Sequence, residues 1–473
     1  MARPSNTTEN ETLEHHDREP GPIGRRGFLA RAAVGTAVAA AAAVPALAGG
    51  SAAQAAPGVP PAPGKKPKAL AIFDAGSYGA VGDGVHDDTS ALQDAIDAAQ
   101  AAGGGTVLIS AGTYKTTSTL QVTGANITVR GEGASTIIAC SFAAGDIIRV
   151  ARATGVTALV SNGLYCDFAI MSTVQKTSGA ALAMDGVQDM RIENVHAVSR
   201  VYSNPNNLWD SFTFHDFTIV VMESCKIQAQ NKGITCWGNE VGADIWITGG
   251  TLCSFTPIGA HIGGGVGGVY FDEFLCYLNG SNVLLDDTLG GSPNREIIFN
   301  EAVLDGSYRH NVEIMPNAVY VLTFQNTWFS NSGFDGQTGH PDGCLLRVHP
   351  GAILHPSSVT MSGCKMFNGY GSGVFAESGS WTITGCDISL NGQGAAGGYG
   401  VVLADEATQS VISGNSIRQN GAYPSAKPVG VGVLIDTGVD DYIITSNMLT
   451  GNGTAGLVDN GGTSKVVDLN LGA

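Results

Sequence analysis

Ten six-residue blocks recur through the C-terminal two-thirds of the chain. They are IENVHA at 192, MESCKI at 222, ITGGTL at 247, FDEFLC at 271, FNEAVL at 299, FQNTWF at 324, MSGCKM at 361, ITGCDI at 383, ISGNSI at 412 and ITSNML at 444. Each opens on an apolar residue, runs through small or polar ones and closes on a largely apolar sixth. A second block alternates with the first: GITCWG at 233, GAHIGG at 259, NVLLDD at 282, NVEIMP at 311, GVFAES at 373, GVVLAD at 400 and GVLIDT at 432, with a weaker copy, LLRVHP, at 345. Both read as short strands with one apolar face, because alternation with period two puts every second side chain on the same side. The first block returns every 22 to 37 residues. That interval leaves no room for a helix between strands, which excludes leucine-rich and ankyrin repeats, and it is too short for propeller blades. What remains is a parallel β-helix, in which each repeat is one coil and coils stack about 4.8 Å apart.

The composition suits such a solenoid. Of 473 residues, 66 are glycine and only 14% are charged. Glycine and asparagine supply tight corners, and an irregular repeat needs many of them. The net charge of −17 argues against a nucleic-acid partner. Cys225, Cys364 and Cys386 fall at the fourth place of the first block, where later coils carry Asn415 and Asn447. The reading is a ladder of buried thiols inside the helix, not nucleophiles or metal ligands.

The N-terminus has a different character. Arg25-Arg26 precede GFLARAAVGTAVAAAAAVPALAGG, a weakly apolar, alanine-rich run. This resembles a twin-arginine export signal, with cleavage expected after Ala48 or Ala55. The domain plan is therefore a leader at 1–56, a Pro/Ala/Lys linker at 57–70 and one β-helix domain at 71–473. The protein is expected to be secreted, with no membrane association after cleavage. Folding before export, in a reducing compartment, fits free thiols better than a disulfide framework.

The run FDAGSYGAVGDGVHDDTSALQDAIDAAQAAGGGTVLISAGTY, residues 73–114, resembles the N-terminal entry of the pectate-lyase-like superfamily, which includes polysaccharide lyases, glycoside hydrolases and phage tailspikes. The resemblance rests on YGAVGDG, DDTSALQDAI and GGGTVLISAGTY. It implies an all-β, single-stranded, right-handed parallel β-helix with an N-terminal capping helix. Leu92, Ala95, Ile96 and Ala99 give residues 89–102 one apolar helical face. Asp88 or Thr89 is placed to cap that helix, and Ser90 and Gln93 have capping-box spacing. Asp87 and Asp88 are thus assigned to folding, and His86 to the turn.

Chemistry on such a fold belongs on an outer face, where one position repeats coil after coil. Counting outward places of the second block puts Asp286 and Glu313 on adjacent coils, offset by two residues, with backbones roughly 7–8 Å apart. Carboxyl pairs about 6.5–9.5 Å apart suit inverting glycoside hydrolysis, with one acid and one base that activates water. Arg347, one coil beyond Glu313, is expected to orient substrate or to act on Glu313. His261, Asp287, His349 and Glu377 are expected to line the same trough, Trp237 to stack on a sugar, and Trp209 to belong to an inserted wall spanning 199–217. A competing acidic patch, Asp272 and Glu273 with Asn300 and Glu301, has the chemistry of a calcium site. No metal is assigned.

The motif set departs from the polygalacturonase branch. Asp286-Asp287 stands alone, GHP at 339–341 lacks the second glycine, and no Arg-Ile-Lys follows. The expectation is glycosidic cleavage of a polysaccharide or oligosaccharide, by hydrolysis or fructotransferase-type transfer. Two alternatives stand: a lyase acting on a uronate-containing glycan, for which calcium becomes a candidate cofactor, and a non-catalytic glycan-binding or structural solenoid. Related solenoids trimerise, so a homotrimer is among the expected assemblies.

Overall fold

A computed structural model describes residues 71–198, 207–333, 343–354, 358–422 and 427–472. The leader at 1–56 and the linker at 57–70 lie outside the described residues. The rest is a right-handed parallel β-helix. A representative coil carries the strands Val312–Ile314, Val319–Gln325 and Trp328–Ser332. Each pairs in parallel with its counterpart one coil on, in Leu346–Val348, Ser358–Ser362 and Lys365–Phe367. Among the described residues no helix is long and apolar enough to cross a membrane.

The repeat alignment is the register of the stack. The first residues of all ten blocks, from Ile192 and Met222 through Phe271, Phe299 and Phe324 to Ile412 and Ile444, pair one above another. All ten are fully buried. The second block behaves alike: Ile234, Ala260, Val283, Val312, Leu346, Val374, Val401 and Val433 form one inward column. Slipping any strand by one residue would turn its buried face outward, so apolar burial fixes the register while the turns absorb the uneven repeat length.

All nine cysteines are free and buried, as the ladder reading requires. Burial pushes the Cys225 thiol up to about 12, so it remains protonated and inert. The ladder continues in amide form. The Cys386 N–H donates to Asn415 Oδ1 at 2.9 Å, Asn415 N–H to Asn447 Oδ1 at 3.0 Å, and Asn447 N–H to Asn470 Oδ1 at 3.1 Å. Each inward side chain thus satisfies a backbone donor of its neighbouring coil.

The helix spans Thr89–Ala101 and buries Ala91, Leu92, Ala95, Ile96 and Ala99. Its acids divide their work differently from the expectation. Asp88 sits at the N-cap but makes no capping bond; its carboxylate accepts from the Val81 and Gly82 amides at 2.7 and 3.2 Å. Asp87 serves the helix start instead, accepting from the Thr89 amide at 3.1 Å and from the Thr117 hydroxyl at 2.7 Å. Gln93 closes no capping box, because its side chain exchanges two bonds with the backbone of Gln121. His86 is exposed on a short strand, so GVHDD is a folding element.

Candidate functional site

The strands bearing the second block form one face of the stack, and their outward residues fall into two columns. The first runs Thr213, Thr235, His261, Leu284, Glu313, Arg347 and Phe375. The second begins with Asp185, His215 and Trp237. Asp286 follows Leu285, and His349 follows Val348, in the corresponding places of later coils. Val312 and Ile314 flank Glu313 and are fully buried in the core, so alternation points Glu313 outward. Glu313 pairs with Leu284, two residues before Asp286. A strand spacing of about 4.8 Å and a rise of about 3.3 Å per residue put the two backbones about 8 Å apart.

Neither carboxylate is open to solvent. Asp286 is 6% exposed and Glu313 is 4% exposed, although both belong to the outer face. Histidines cover them. His261 Nε2 lies 2.9 Å from Asp286 Oδ1, and His349 Nε2 lies 3.2 Å from Glu313 Oε1. Burial pushes the Asp286 carboxyl up, but the hydrogen bond from His261, with that from the Thr288 amide at 3.2 Å, outweighs it and holds the group below the usual aspartate range. Arg309 approaches Glu313 at 3.3 Å and His310 at 4.0 Å.

Arg347 is on the expected face but has a different partner. Its guanidinium bonds Glu377 at 2.6 Å and lies 4.3 Å over the Phe375 ring. The cation beside Glu313 is Arg309 instead. A groove of about 440 Å³ opens here, lined by Arg309, His310, Arg347, His349, Phe375 and Tyr399, among others. A larger recess, about 710 Å³, lies between turns at Gly242, Gly265 and Ser292 and is lined by Arg295 and Tyr320 and, among the described residues, by no carboxylate.

Trp237 stacks on His215, centroids 4.7 Å apart, on the coil before that of His261. Asp287 is half-buried in the turn after Asp286, where its carbonyl accepts from Gly291 N–H. Trp209 is half-buried, one residue before the strand that carries His215. It stands at the corner leading into the strand Asp210–Glu223, its carbonyl bonded to Asn231 N–H. Of the expected wall, residues 199–206 lie outside the described residues, and Asp210, His215 and Asp216 belong to that strand, which pairs within the stack with a shift in register after His215. The Asp272 patch is a corner, where Asn300 Nδ2 donates to Asp272 Oδ1 at 2.6 Å while Glu273 and Glu301 are exposed.

A second charged centre lies nearer the N-terminus on the same face. His215 Nδ1 is 2.9 Å from Asp185 Oδ1, and Nε2 is 3.4 Å from Asp216 Oδ2. These three residues bring ligand-type atoms within 4.8 Å of one another. Arginines already serve the carboxylates: Arg149 bonds Asp185 at 2.7 Å and Arg152 reaches Asp216 at 4.0 Å. The hydrogen bond that His215 donates to Asp185, with the charge of Asp216, raises the His215 pKa above 6.5 despite burial. A raised folded-state pKa stabilises below the unfolded value and fades as pH climbs through the folded one. H215Q is therefore expected to lower Tm most below pH 6.5, with the difference from the parent shrinking at alkaline pH; a pH-independent difference counts against the pairing.

Comparison with known proteins agrees with this fold. Residues 72–252 match the family model "Rhamnogalacturonase A/epimerase, pectate lyase-like", and residues 293–471 match "Right handed beta helix region". Mannuronan C5-epimerase AlgE1 of Azotobacter vinelandii is 57% identical over 49 residues, 10% of this chain and 4% of that protein. A capsule KN3-specific depolymerase of Klebsiella phage KN3-1 is 29% identical over 191 residues, 36% of this chain and 22% of that protein. The chain thus spans a small share of the curated relatives it matches. The solved A-module of the A. vinelandii epimerase AlgE4 superposes with a TM-score of 0.54 at 18% identity, covering 84% of this chain and 98% of the module. Two family models thus match successive stretches of one continuous stack of coils, the first as a pectate lyase-like domain and the second as a right-handed β-helix domain.

Proposed function

We propose that this chain is an exported carbohydrate-processing enzyme that cleaves glycosidic bonds of a polysaccharide or oligosaccharide in the trough around Asp286 and Glu313. The observation that carries the reading is the pair itself: two sunken carboxylates one coil apart on one face, each held by a histidine. The named relatives act on mannuronan or on a capsule, which supports a glycan as the substrate class. Asp286 is held ionised, and its bonds from His261 and from Thr288 N–H converge on Oδ1. Oδ2 is then the oxygen to turn a water against the anomeric carbon. Glu313 delivers the proton to the leaving oxygen. His349, 25% exposed and 3.2 Å away, links it to solvent for reprotonation. Trp237, two coils before Asp286, supplies an apolar ring further along the same face, and transfer to a hydroxyl of the same substrate uses the same two carboxyl groups.

One observation favours a second reading. Arg309, His310, Arg347 and His349 line the groove in a chain of net charge −17, a setting that suits a uronate and β-elimination. Calcium has a role only on that route. The test is to incubate the purified protein with a panel of plant, microbial and fructan polysaccharides, following new saccharides by mass, reducing ends and ultraviolet absorbance. New saccharides without absorbance are expected. An absorbing, unsaturated product overturns the carboxylate mechanism in favour of elimination, and no product on any glycan favours a binding solenoid.

A further inference from the structure

Three consecutive coils contribute one residue each to a hydrogen-bonded chain beneath the trough. Lys232 Nζ lies 2.8 Å from His261 Nδ1, and His261 Nε2 lies 2.9 Å from Asp286 Oδ1. His261 is 3% exposed, so its ring nitrogens answer to these two partners and not to bulk water. The backbone amide of Lys232 donates to Asp210 Oδ1 at 3.0 Å, which anchors the start of its strand.

The direction of the chain follows from what each group can do. An ammonium has three donors and no lone pair, so His261 Nδ1 must accept. A neutral imidazole that accepts at one nitrogen carries its proton on the other, which places N–H on Nε2 facing the carboxylate. The imidazolium is disfavoured, because it would set a donor against the Lys232 donor. Without Lys232 the acceptor-only carboxylate of Asp286 still calls for a proton on Nε2, but nothing keeps Nδ1 bare. The ring could then take a second proton on Nδ1 and become a charged partner of Asp286.

We propose that Lys232 is a positioning residue of the trough, which keeps His261 Nδ1 bare and so holds the ring in the neutral Nε2–H tautomer that faces Asp286 Oδ1. The consequence for catalysis rests on the reading of Asp286 as the base; the tautomer itself does not. Lys232 touches no reacting atom. It acts through His261, by holding the carboxylate in the orientation that presents Oδ2 to a water.

The test uses the whole chain labelled with 15N-histidine and long-range 1H–15N correlation spectra at neutral pH, with H261Q identifying the His261 signals among ten histidines. The expected parent spectrum has His261 protonated at Nε2 and bare at Nδ1. In K232M the Nδ1 is expected to gain a proton, and in K232R, which keeps a donor-only cation, the parent pattern is expected to return. On a cleaved glycan, K232M is expected to lower kcat about 10- to 100-fold, the range seen when an outer partner of a functional histidine is lost. KM should stay within about twofold, and K232R should recover most of the rate. A protonated Nδ1 in the parent protein, or a K232M spectrum unchanged from it, overturns the proposal. The parent spectrum decides the tautomer even if K232M fails to fold. Should the spectra behave as expected while D286N cleaves normally, the positioning role stands and the catalytic reading of Asp286 falls.

Discussion

E313Q is expected to lower kcat on the cleaved glycan by about 10²- to 10⁴-fold, the usual contribution of a positioned general acid or base, while leaving the fold intact. The substitution preserves shape and keeps an oxygen to accept from His349 and Arg309, whose contacts with Glu313 Oε1 are 3.2 and 3.3 Å. What it removes is the transferable proton. D286N should cost a similar factor, because an amide beside His261 cannot take a proton from water. The double variant separates a working pair from two independent charges. Groups that act as a unit are grossly non-additive, so the double should be scarcely slower than the worse single. The rates would come from initial velocities at saturating glycan, with Tm measured on each variant to exclude unfolding. Single variants that cleave within about twofold of the parent rate, well short of the loss expected of an acid or base, would remove both carboxylates from the mechanism.

The parts of this site that were legible in the sequence are those that depend on strand period. Val283, Val312 and Leu346 mark the inward column, and counting one residue onward puts Glu313 and Arg347 on neighbouring strands of one outer face. A period of two leaves no other assignment once one face is buried. Side-chain reach is not periodic. Arg347 and Glu313 pair directly across the strands, yet the guanidinium extends the other way to Glu377, where the Phe375 ring supports it. Arg309 and His310 escaped because they lie in the turn before the strand, and only the i to i+4 spacing of Arg309 and Glu313 hinted at the contact. The strand Asp210–Glu223 was hidden by the polar run before it, although Phe212 and Phe214 alternate with Thr213 and His215 in plain view and both phenylalanines are fully buried. Asp88 was misassigned for a related reason. Its bonds reach back to Val81 and Gly82, and no local rule for helix ends anticipates a turn folded over the cap.

The core makes the second large prediction. Phe299 is fully buried between Phe271 and Phe324, with ring centroids 4.6 and 4.8 Å away and planes within 8° and 16° of parallel. These are first residues of three consecutive blocks, so the stack is the repeat itself expressed as packing. F299A removes the middle ring and is expected to destabilise the domain by about 3–5 kcal/mol, the range for buried phenylalanine truncation. Part of that loss is the two ring contacts, each worth about 0.5–1.5 kcal/mol beyond burial. F299L should cost about 1.5 kcal/mol or less, because it refills most of the volume. The measurement is the guanidinium unfolding midpoint of the three proteins, followed by far-ultraviolet circular dichroism and by tryptophan fluorescence. In a solenoid each coil is stabilised chiefly by its neighbours, so a defect at Phe299 should also weaken the coupling between the halves on either side. The two probes, coincident in the parent, should then separate in F299A, because a weak interface lets one part of an array open before the other. An F299A protein that loses less than about 1 kcal/mol, far below the truncation range, and unfolds in one coincident step would show that the stacked rings do not couple these coils.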